Sequence, residues 1–416
     1  MLLGALVLFV LLLAGWEAYW RAYGVVPGIR NTFGLWAIQR RRIDQGEGDA
    51  TVLLGSSRTY FDLQLPVWQS LAGRAPIQLS YEGTSPMTAV EDLAADPNFT
   101  GRLLIGVAPE LFFSGHGFAL GVAKYAHKQS PAQRVGQWLS MRLIEPYFAF
   151  FDADYALHTV LARQPWPQRP GRHWFTDVRK LAIYEAGRNA HLWSKVQTDQ
   201  AYRDLARGIW TEGFEVYPGD PTPEEMLKTE KEQIERATKA VAQLRARGVA
   251  VIFIRLPSDG PYLQYEERFY PRKRAWDRLL SATGAPGIYF SDYPELRGFY
   301  LPEWSHMTQA EAQRFTVAFY GILQRDFWGR RPANPVKMHR TERARQVPAQ
   351  EGFLLQPRGL RLKPSCTSTL FLPQRQRRRA TTFAIGSSQP ARQWRARNAG
   401  ATSRECLQAR QVTTIT

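Results

Sequence analysis

Residues 51–62 read TVLLGSSRTYFD, and this stretch decides the fold prediction for the chain. Its short apolar run ends at Gly55, which is typical of a buried strand followed by a tight turn. The residues after the turn predict a helix, so Ser57 is expected at the C-terminal edge of an open sheet, where ligands bind. A serine in this place is either a nucleophile or part of an ordinary helix N-cap.

Residues 301–315, LPEWSHMTQAEAQRF, contain the groups that a nucleophilic serine needs. A serine hydroxyl is a poor nucleophile unless a base takes its proton and a third group orients that base. Here His306 lies three residues after Glu303 and just before a helix that is predicted to open with Thr308. The two stretches together predict Ser57 as nucleophile, His306 as general base and Glu303 as the acid that orients His306.

At these residues the chain resembles the SGNH (GDSL-type) hydrolases and acyltransferases, over roughly residues 50–328. The nucleophile of that family follows a glycine after the first strand, as Ser57 does. Its general base closes the domain before the last helix, as His306 does. The resemblance implies a doubly wound, mostly parallel α/β sheet of the flavodoxin-like type. It also implies that Gly83 joins the Ser57 N–H as an oxyanion-hole donor, with a turn glycine of positive φ as the alternative.

The chain departs from the family pattern in two places. After the third predicted strand, Arg102–Val107, it reads APEL where the family commonly has Gly-x-Asn-Asp with the asparagine as an oxyanion donor. One missing donor costs about 2.7–4 kcal/mol of transition-state stabilisation. Glu303 replaces the usual aspartate, and Asp292 is a second candidate for the acid. A catalytically inactive accessory protein that binds a glycan or an acyltransferase partner is therefore the alternative to an enzyme.

The first residues, MLLGALVLFVLLLAG, carry no charge and are followed by Trp16, Tyr19 and Trp20. A segment of this length and composition, with aromatic residues at the interface, predicts a transmembrane anchor over residues 1–23. A cleaved signal peptide is the alternative, although the small-residue cleavage pattern and the basic leading region are missing. Residues 24–50 are predicted to be a linker with a short helix, which either lies on anionic lipid or packs on protein.

The anchor, the Gly-Ser-Ser-Arg turn and the closing Trp-Ser-His-Met-Thr most resemble SGNH-like proteins that work beside membrane-bound O-acyltransferases. This resemblance implies a serine esterase or O-acyltransferase that acts on acyl esters, in particular acetyl esters, of a cell-envelope polysaccharide. It implies a glycan or acyl ester as substrate, a membrane-bound O-acyltransferase as partner and no cofactor. It also implies the bacterial inner membrane with the domain periplasmic or extracellular, whereas the arginines after the anchor favour the opposite orientation.

Basic residues are concentrated at the C-terminal end of the chain. The formal net charge is +17, but residues 331–416 hold 17 basic and 3 acidic residues, whereas residues 1–330 hold 37 and 34. The segment 331–416 lacks apolar periodicity and is predicted to be a disordered basic tail. Nucleic-acid binding would depend on this tail alone and is disfavoured. Cys366 and Cys406 also lie there, so no disulfide or thiolate chemistry is expected in the domain over residues 51–330.

Residues 112–219 are predicted to be a long, α-rich insertion, because a parallel crossover needs only about a dozen residues. The segment is dense in aromatic residues: Phe148, Phe150, Phe151, Tyr155, Trp166, Trp174, Tyr184, Trp193 and Trp210. They predict either the core of a helical subdomain or a cap that binds sugar or faces the membrane. The histidines of the segment lack the spacing of a metal site, so no metal is assigned: His116, His127, His158, His173 and His191.

The remaining elements alternate between strand and helix. The second predicted strand covers Ile77–Leu79, and Ser85 is expected to cap the helix that follows. Thr222 caps a predicted helix to Arg247, and VAVIFIRL over 249–256 predicts a strand buried in a parallel sheet. A helix over 272–283 and a strand over 287–290 complete an α/β pattern. Arg58 and Arg255 are candidates for substrate binding, with an ion pair as the alternative for Arg255.

Overall fold

A computed structural model describes residues 1–164, 179–216 and 220–329 of the chain. In these ranges a central sheet of five parallel strands carries helices on both faces. The predicted α/β class with a mostly parallel sheet is confirmed. The predictions for Trp166, Trp174, His173 and the tail over 331–416 with its two cysteines concern residues outside the described ranges.

The central sheet has the strand order β2-β1-β3-β6-β7, and all of its neighbouring strands are parallel. Each of these strands lies within its predicted range. Strands β4 and β5 form a separate antiparallel hairpin that the sequence did not predict. The described strands are β1 (Thr51–Leu54), β2 (Ile77–Gln78), β3 (Arg102–Gly106), β4 (Ala182–Tyr184), β5 (Ala190–Leu192), β6 (Ala250–Arg255) and β7 (Gly287–Tyr289).

The α-helices of the described ranges alternate with the sheet strands, apart from those that precede β1 and those between β3 and β6. They are α1 (Leu2–Tyr23), α2 (Phe33–Arg42), α3 (Ser57–Asp62), α4 (Leu65–Ala72), α5 (Met87–Ala95), α6 (Pro109–Phe112), α7 (Val122–Lys128), α8 (Pro131–Leu143), α9 (Leu157–Ala162), α10 (Ser194–Thr198), α11 (Gln200–Phe214), α12 (Pro223–Ala246), α13 (Gly260–Phe269), α14 (Trp276–Thr283) and α15 (Gln309–Ile322).

The two faces of the sheet bury two apolar clusters. Val52 and Leu54 of β1 pack with residues of α2, α5, α12 and α14, whereas Leu53 packs with α4 and α15 on the other face. Successive side chains of a strand point to opposite faces, so both faces of β1 are covered. This explains why the strands read as nearly continuous apolar runs rather than as an alternating pattern.

The helix in the predicted linker packs on the protein rather than lying free. Trp36 of α2 is fully buried, and its Nε1 donates to the Leu79 carbonyl at 2.8 Å. Arg40 binds Asp92 at 2.7 Å and Asp96 at 2.6 Å, and these carboxylates cap its buried guanidinium. The sequence left open whether this helix lies on anionic lipid or packs on protein, and in the structure it packs on protein.

Helix starts follow the predicted caps with one exception. Thr222 and Glu225 form a reciprocal capping box at the start of α12, and the Thr308 side chain caps α15. At α5, however, Pro86 occupies the N-cap position instead of Ser85. The Ser85 N–H donates to the His116 carbonyl at 2.8 Å, so Ser85 is used in a loop contact and not as the cap.

Helix α1 is, in the described ranges, the one helix that is long and apolar enough to cross a membrane. It ends at Gly24, which has the left-handed conformation that favours glycine (φ 101°). Trp20, near its end, packs on Tyr155 with ring centroids 4.6 Å apart. The polar end of α1 is therefore attached to the segment between β3 and β6.

A third apolar cluster lies in that segment. Tyr155, Trp193 and Tyr202 are buried there together with Tyr60 and Phe61 of α3. Several of the aromatic residues that were singled out in the sequence thus form the core of a helical layer. Because this core includes two residues of α3, the layer packs directly against the helix that begins with Ser57.

Candidate active site

The turn between β1 and α3 depends on two glycines that leave room for one threonine. A Cβ atom at Gly55 or at Gly106 would overlap the Oγ1 of Thr59. Thr59 therefore lies directly against the ends of β1 and β3. This packing brings Ser57 to the carboxyl edge of the sheet at the point where the strand order reverses, which is the usual ligand position in open α/β sheets.

Ser57, His306 and Glu303 form one hydrogen-bonded chain. The distance from Ser57 Oγ to His306 Nε2 is 2.7 Å, and from His306 Nδ1 to Glu303 Oε1 it is 2.9 Å. His306 and Glu303 are buried, whereas Ser57 is partly exposed. With its Nδ1 facing a carboxylate, His306 presents Nε2 to the serine hydroxyl and is oriented to accept its proton.

Both carboxylate oxygens of Glu303 have hydrogen-bond donors. Oε1 also accepts the backbone N–H of His306 at 2.7 Å, and Oε2 accepts the Nε1–H of Trp210 at 2.6 Å. Burial alone would raise the pKa of Glu303, but His306 and then Trp210 outweigh it and hold the pKa below its ordinary value. Asp292, the second candidate acid, instead binds Arg272 at 2.6 Å and 2.7 Å.

The loop that carries Glu303 is held in a strained conformation. Trp304 has φ 71°, the left-handed region that costs a non-glycine residue about 1–2 kcal/mol. Its carbonyl accepts the Asp259 N–H at 2.8 Å, and the Arg207 guanidinium lies 5.0 Å from its ring centroid. Arg207 Nε also donates to the Pro302 carbonyl at 3.0 Å. Helix α11 therefore fixes this loop through Arg207 as well as through Trp210.

Asp62, at the end of α3, connects the two halves of the site. Its Oδ1 accepts the Met307 N–H at 2.9 Å, while its Oδ2 has no partner in the described part of the chain. The residue is fully buried, and burial raises the pKa of Asp62 to about 7. A carboxyl group five residues after the nucleophile thus holds the residue that follows His306.

The two arginines that were candidates for substrate binding share one acid. Arg58 Nη1 binds Glu266 Oε1 at 2.6 Å, and Arg255 Nη2 binds Oε2 at 2.5 Å. Arg58 Nε also donates to Ser305 Oγ at 3.1 Å. Both guanidinium groups are buried, at 2% exposure each. The ion pair expected as the alternative for Arg255 is present, and a contact of either arginine with substrate stays a prediction.

Glu110 occupies the region where the resembled family has its asparagine. Its Oε1 accepts the Tyr262 hydroxyl at 2.8 Å and lies 3.7 Å from Arg58 Nη2. Burial raises the pKa of Glu110 above its ordinary range, and the nearby charge of Glu266 adds to this effect while Arg58 opposes it. This position therefore offers a carboxyl group, not an amide, to the site.

Gly83 lies on the segment that continues β2 alongside β1. The Tyr81 N–H donates to the Gly55 carbonyl at 3.0 Å, so the segment passes the turn that carries Ser57. Gly83 has φ 55°, which is the positive φ named as the alternative explanation for this glycine. The role of Gly83 as oxyanion donor stays a prediction.

Sequence reasoning missed the residues that the segment between β3 and β6 contributes to this region. Arg188 is fully buried, and its guanidinium binds the carbonyls of Gln78 and Ser80 at 3.1 Å and 2.5 Å. It therefore fixes the end of β2 that leads to Gly83. Neither Arg188 nor Trp210 lies in a recognisable motif, and only their burial in the folded chain distinguishes them from other arginines and tryptophans.

The described residues contain no group of three or more His, Cys, Asp and Glu side chains placed to hold a metal ion. The sequence matches no model of a known protein family, and no curated protein matches it. What can be inferred about function therefore depends on the geometry around Ser57 and on the resemblance of its motifs.

Proposed function

We propose that the protein is a membrane-anchored serine esterase or O-acyltransferase of the SGNH type. The observation that carries this proposal is the hydrogen-bonded chain from Ser57 through His306 to Glu303. The strand order supports it: counted within the central sheet alone, the order is 2-1-3-4-5, which is the flavodoxin-like arrangement. The nucleophile follows the first of these strands, and the base precedes the last helix, as in the SGNH pattern.

The first half of the reaction forms an acyl-enzyme. Ser57 Oγ attacks the acyl carbonyl carbon while His306 Nε2 takes the hydroxyl proton, and the carbonyl oxygen becomes an oxyanion. The N–H groups of Ser57 and Gly83 donate to that oxygen in the proposed site. Collapse of the tetrahedral intermediate breaks the bond to the alcohol oxygen. The departing alcohol receives its proton from His306.

The second half transfers the acyl group from Ser57 to an acceptor. His306 takes a proton from the acceptor hydroxyl, which attacks the acyl carbonyl and releases Ser57 with its proton restored. Water as acceptor gives an esterase, whereas a sugar hydroxyl gives a transferase. In both halves Glu303 keeps Nε2 directed at the serine and stabilises the imidazolium that forms, because its carboxylate contacts Nδ1.

The proposed substrate is an acyl ester, in particular an acetyl ester, of a cell-envelope polysaccharide. Two observations support this choice: α1 is apolar and long enough to cross a membrane, and the motifs resemble the SGNH-like proteins beside membrane-bound O-acyltransferases. On the same basis we propose the bacterial inner membrane as location, a periplasmic or extracellular domain, and a membrane-bound O-acyltransferase as partner.

A second candidate is a catalytically inactive accessory protein with the same fold. The observation that favours it is Glu110, because this carboxyl group stands where the family places an oxyanion-donating amide. Such a protein would bind a glycan or an acyltransferase without turning over an ester. The two candidates differ in one measurable property, the reactivity of the Ser57 hydroxyl.

The test is hydrolysis of an aryl acetate together with labelling by a fluorophosphonate, using the full chain in detergent or nanodiscs. Ser57→Ala and His306→Ala are compared with the native protein and with Ser70→Ala. Ser70 is an exposed serine whose hydroxyl donates to the Val67 carbonyl, so it is a matched control away from the site. We expect labelling of the native protein and of Ser70→Ala, and none of Ser57→Ala.

We expect turnover to fall by a factor on the order of 10³–10⁶ in both site variants. Adding glycan acceptors to the active protein then separates transfer from hydrolysis through the acylated product. Equal background rates in all four proteins, with no label on the native chain, would show that the serine is unreactive. In that case the accessory role replaces the enzymatic one.

A further inference from the structure

Helix α8 has an apolar stripe that no part of the described chain covers. Val135, Trp138, Leu139 and Leu143 are spaced as one face of a helix, and each is between 40% and 60% exposed. None of the thirteen residues of α8 is buried. Because soluble surfaces rarely leave so many large apolar side chains contiguous, this stripe indicates a contact surface.

The apolar surface continues past the end of the helix. The N–H groups of Tyr147 and Phe148 both donate to the Ile144 carbonyl, so the chain turns without leaving this region. These three side chains are between 36% and 59% exposed. We call the exposed side chains of Val135, Trp138, Leu139, Leu143, Ile144, Tyr147 and Phe148 the α8 patch.

The α8 patch adjoins the polar end of the membrane-spanning candidate α1. Arg21 Nη2 donates to the Tyr147 carbonyl at 2.7 Å. The carboxylate of Glu17 accepts the N–H groups of Ala149 and Phe150, each at 3.0 Å. Glu17 and Arg21 are the first charged residues after the apolar run of α1, so in the proposed anchor the residues bonded to them would lie at the level of the membrane surface.

A second set of bonds holds the end of α8 at this level. Buried Glu145 accepts the Arg30 N–H at 2.8 Å and the Ser140 hydroxyl at 2.7 Å. Thr32 donates to Gln137 Oε1 at 2.7 Å, on the side of α8 that packs against α2. The helix is therefore fixed to the chain just after α1 through its polar side, and its apolar stripe remains uncovered.

The charges of α8 fit a lipid surface. Arg134 and Arg142 are exposed, and residues 131–144 contain no Asp or Glu. At about 3.6 residues per turn, Arg134 falls at the edge of the stripe and Arg142 within it, so their long side chains extend along apolar surface towards the headgroups, as in helices that lie in the interface of an anionic bilayer.

We propose that the α8 patch inserts into the surface of the same bilayer that α1 enters, as a second membrane contact. Two attachments that are not collinear prevent the domain from turning freely about the axis of α1. This inference rests on the proposed membrane anchorage through α1, but it does not depend on the reaction at Ser57 and applies equally to an enzyme and to an inactive accessory protein.

The test uses the full chain reconstituted in vesicles of phosphatidylglycerol and phosphatidylethanolamine. Cys366→Ser and Cys406→Ser remove the native thiols, and single cysteines are then introduced by Leu139→Cys or Leu143→Cys. Val317→Cys is the matched control, because Val317 is an apolar residue, 51% exposed, on α15. Each cysteine carries an environment-sensitive fluorophore, and lipids with a spin label near the headgroup act as the quencher.

We expect fluorophores at 139 and 143 to be quenched at least threefold more than the one at 317, with emission shifted to the blue. Arg134→Gln combined with Arg142→Gln is expected to reduce this difference. Equal quenching at all three positions would overturn the proposal. A blue shift that occurs only in native membranes, and not in pure lipid vesicles, would also overturn it, because the occupant is then a protein.

Discussion

Trp210 Nε1 donates a hydrogen bond to Glu303 Oε2 at 2.6 Å. This bond joins helix α11, which lies between β3 and β6 in the chain, to the acid that orients His306. The indole therefore acts as a positioning group for the candidate site, although it contacts neither His306 nor Ser57 in the described hydrogen bonds. Its contribution is measurable without knowledge of the natural substrate.

Trp210→Phe is expected to lower kcat for an aryl ester about 10- to 100-fold with little change in KM. The reason is that a hydrogen bond to a charged group contributes about 1.5–3 kcal/mol, and Oε2 would lose its donor while it stays buried. Because that donor lowers the pKa of Glu303, its loss raises this pKa. Where protonation of Glu303 limits kcat, the acidic limb of the profile then moves to higher pH.

Trp193→Phe is the control for Trp210→Phe, since Trp193 is a buried member of the aromatic cluster against which the half-buried Trp210 packs, whereas the described indole hydrogen bond to Glu303 comes from Trp210. A purely structural role of Trp210 predicts that both variants lose activity to the same extent, with unchanged pH profiles. That outcome would remove Trp210 from the candidate site.

Glu303→Gln is expected to reduce kcat by a factor on the order of 10³–10⁴ at pH 7. The amide carries no charge to stabilise the imidazolium. In the native protein, Glu303 Oε1 contacts both the backbone N–H and the Nδ1 of His306, and Glu303 Oε2 accepts the indole N–H of Trp210. An amide cannot accept at both ends, so one donor is left facing an NH₂ group.

Asp292→Asn distinguishes Glu303 from the other acid that the sequence offered. Asp292 binds Arg272 on the surface, so its neutralisation is expected to leave kcat within about twofold of the native value. Steady-state rates of the two variants and the native protein decide the matter. A large loss in Asp292→Asn with a small loss in Glu303→Gln would reverse the assignment.

Glu266→Gln is expected to destabilise the folded chain by about 3–5 kcal/mol, because Arg58 and Arg255 would stay buried without their shared counter-charge. Burial opposes ionisation of Glu266, but Arg255 and Arg58 outweigh it and hold its pKa well below the ordinary 4.5. Its stabilising effect is therefore complete above that value and is lost as the pH falls below it.

Chemical denaturation at pH 7 and at several values between pH 5 and 3 measures this effect. Glu235→Gln is the control, because Glu235 lies on the exposed side of α12 and, among the described residues, forms its ion pair with Lys231 at 3.8 Å. We expect the control to change the free energy of unfolding by less than about 0.5 kcal/mol. Similar small changes in both variants would contradict the buried network.

Asp62→Asn is expected to stabilise the protein at alkaline pH and not at acidic pH. Burial raises the pKa of Asp62 from 3.8 to about 7, so the folded state holds a proton that the unfolded state releases. That contribution is complete below pH 3.8 and is lost as the pH rises to about 7. Asparagine cannot ionise, and its Oδ1 still accepts the Met307 N–H.

The gain at pH 8 is expected to be on the order of 2–4 kcal/mol, and it should vanish at pH 4. Urea unfolding of the native protein and of Asp62→Asn at both pH values measures it. Parallel pH dependences for the two proteins would mean that Asp62 already ionises freely in the folded state.

The parallel sheet was predictable because its signals are local. In a run such as VAVIFIRL, the side chains that point to either face of the strand are mostly apolar. Such a strand needs helices on both faces of its sheet, wherever it lies in that sheet. The association of Ser57 with His306 was predictable for a chemical reason: a serine at such a turn needs a base, and His306 follows an acid, Glu303, that can orient it.

The contributions of Trp210, Arg188 and Asp62 were not predictable from local sequence. Trp210 lies on an amphipathic helix, and nothing in the pattern distinguishes a tryptophan that packs in a core from one that donates to a distant carboxylate. The same limit applies to α2, whose apolar face fits lipid and protein equally. Only the tertiary packing of α2 through Trp36 decides between them.

The fit of Thr59 against Gly55 and Gly106 limits the order in which these residues can be substituted during evolution. A side chain at Gly106 would require the hydroxyl branch at 59 to be withdrawn first, and one at Gly55 would overlap the Cβ of Thr59 as well, so mutations at the three positions are accepted only in a certain order. Substitutions at these three positions therefore depend on one another, although residue 106 lies far from the other two in the sequence. In diverging relatives, alanine at 59 is expected to precede any replacement of Gly106, and Gly55 is expected to persist while residue 59 carries a Cβ.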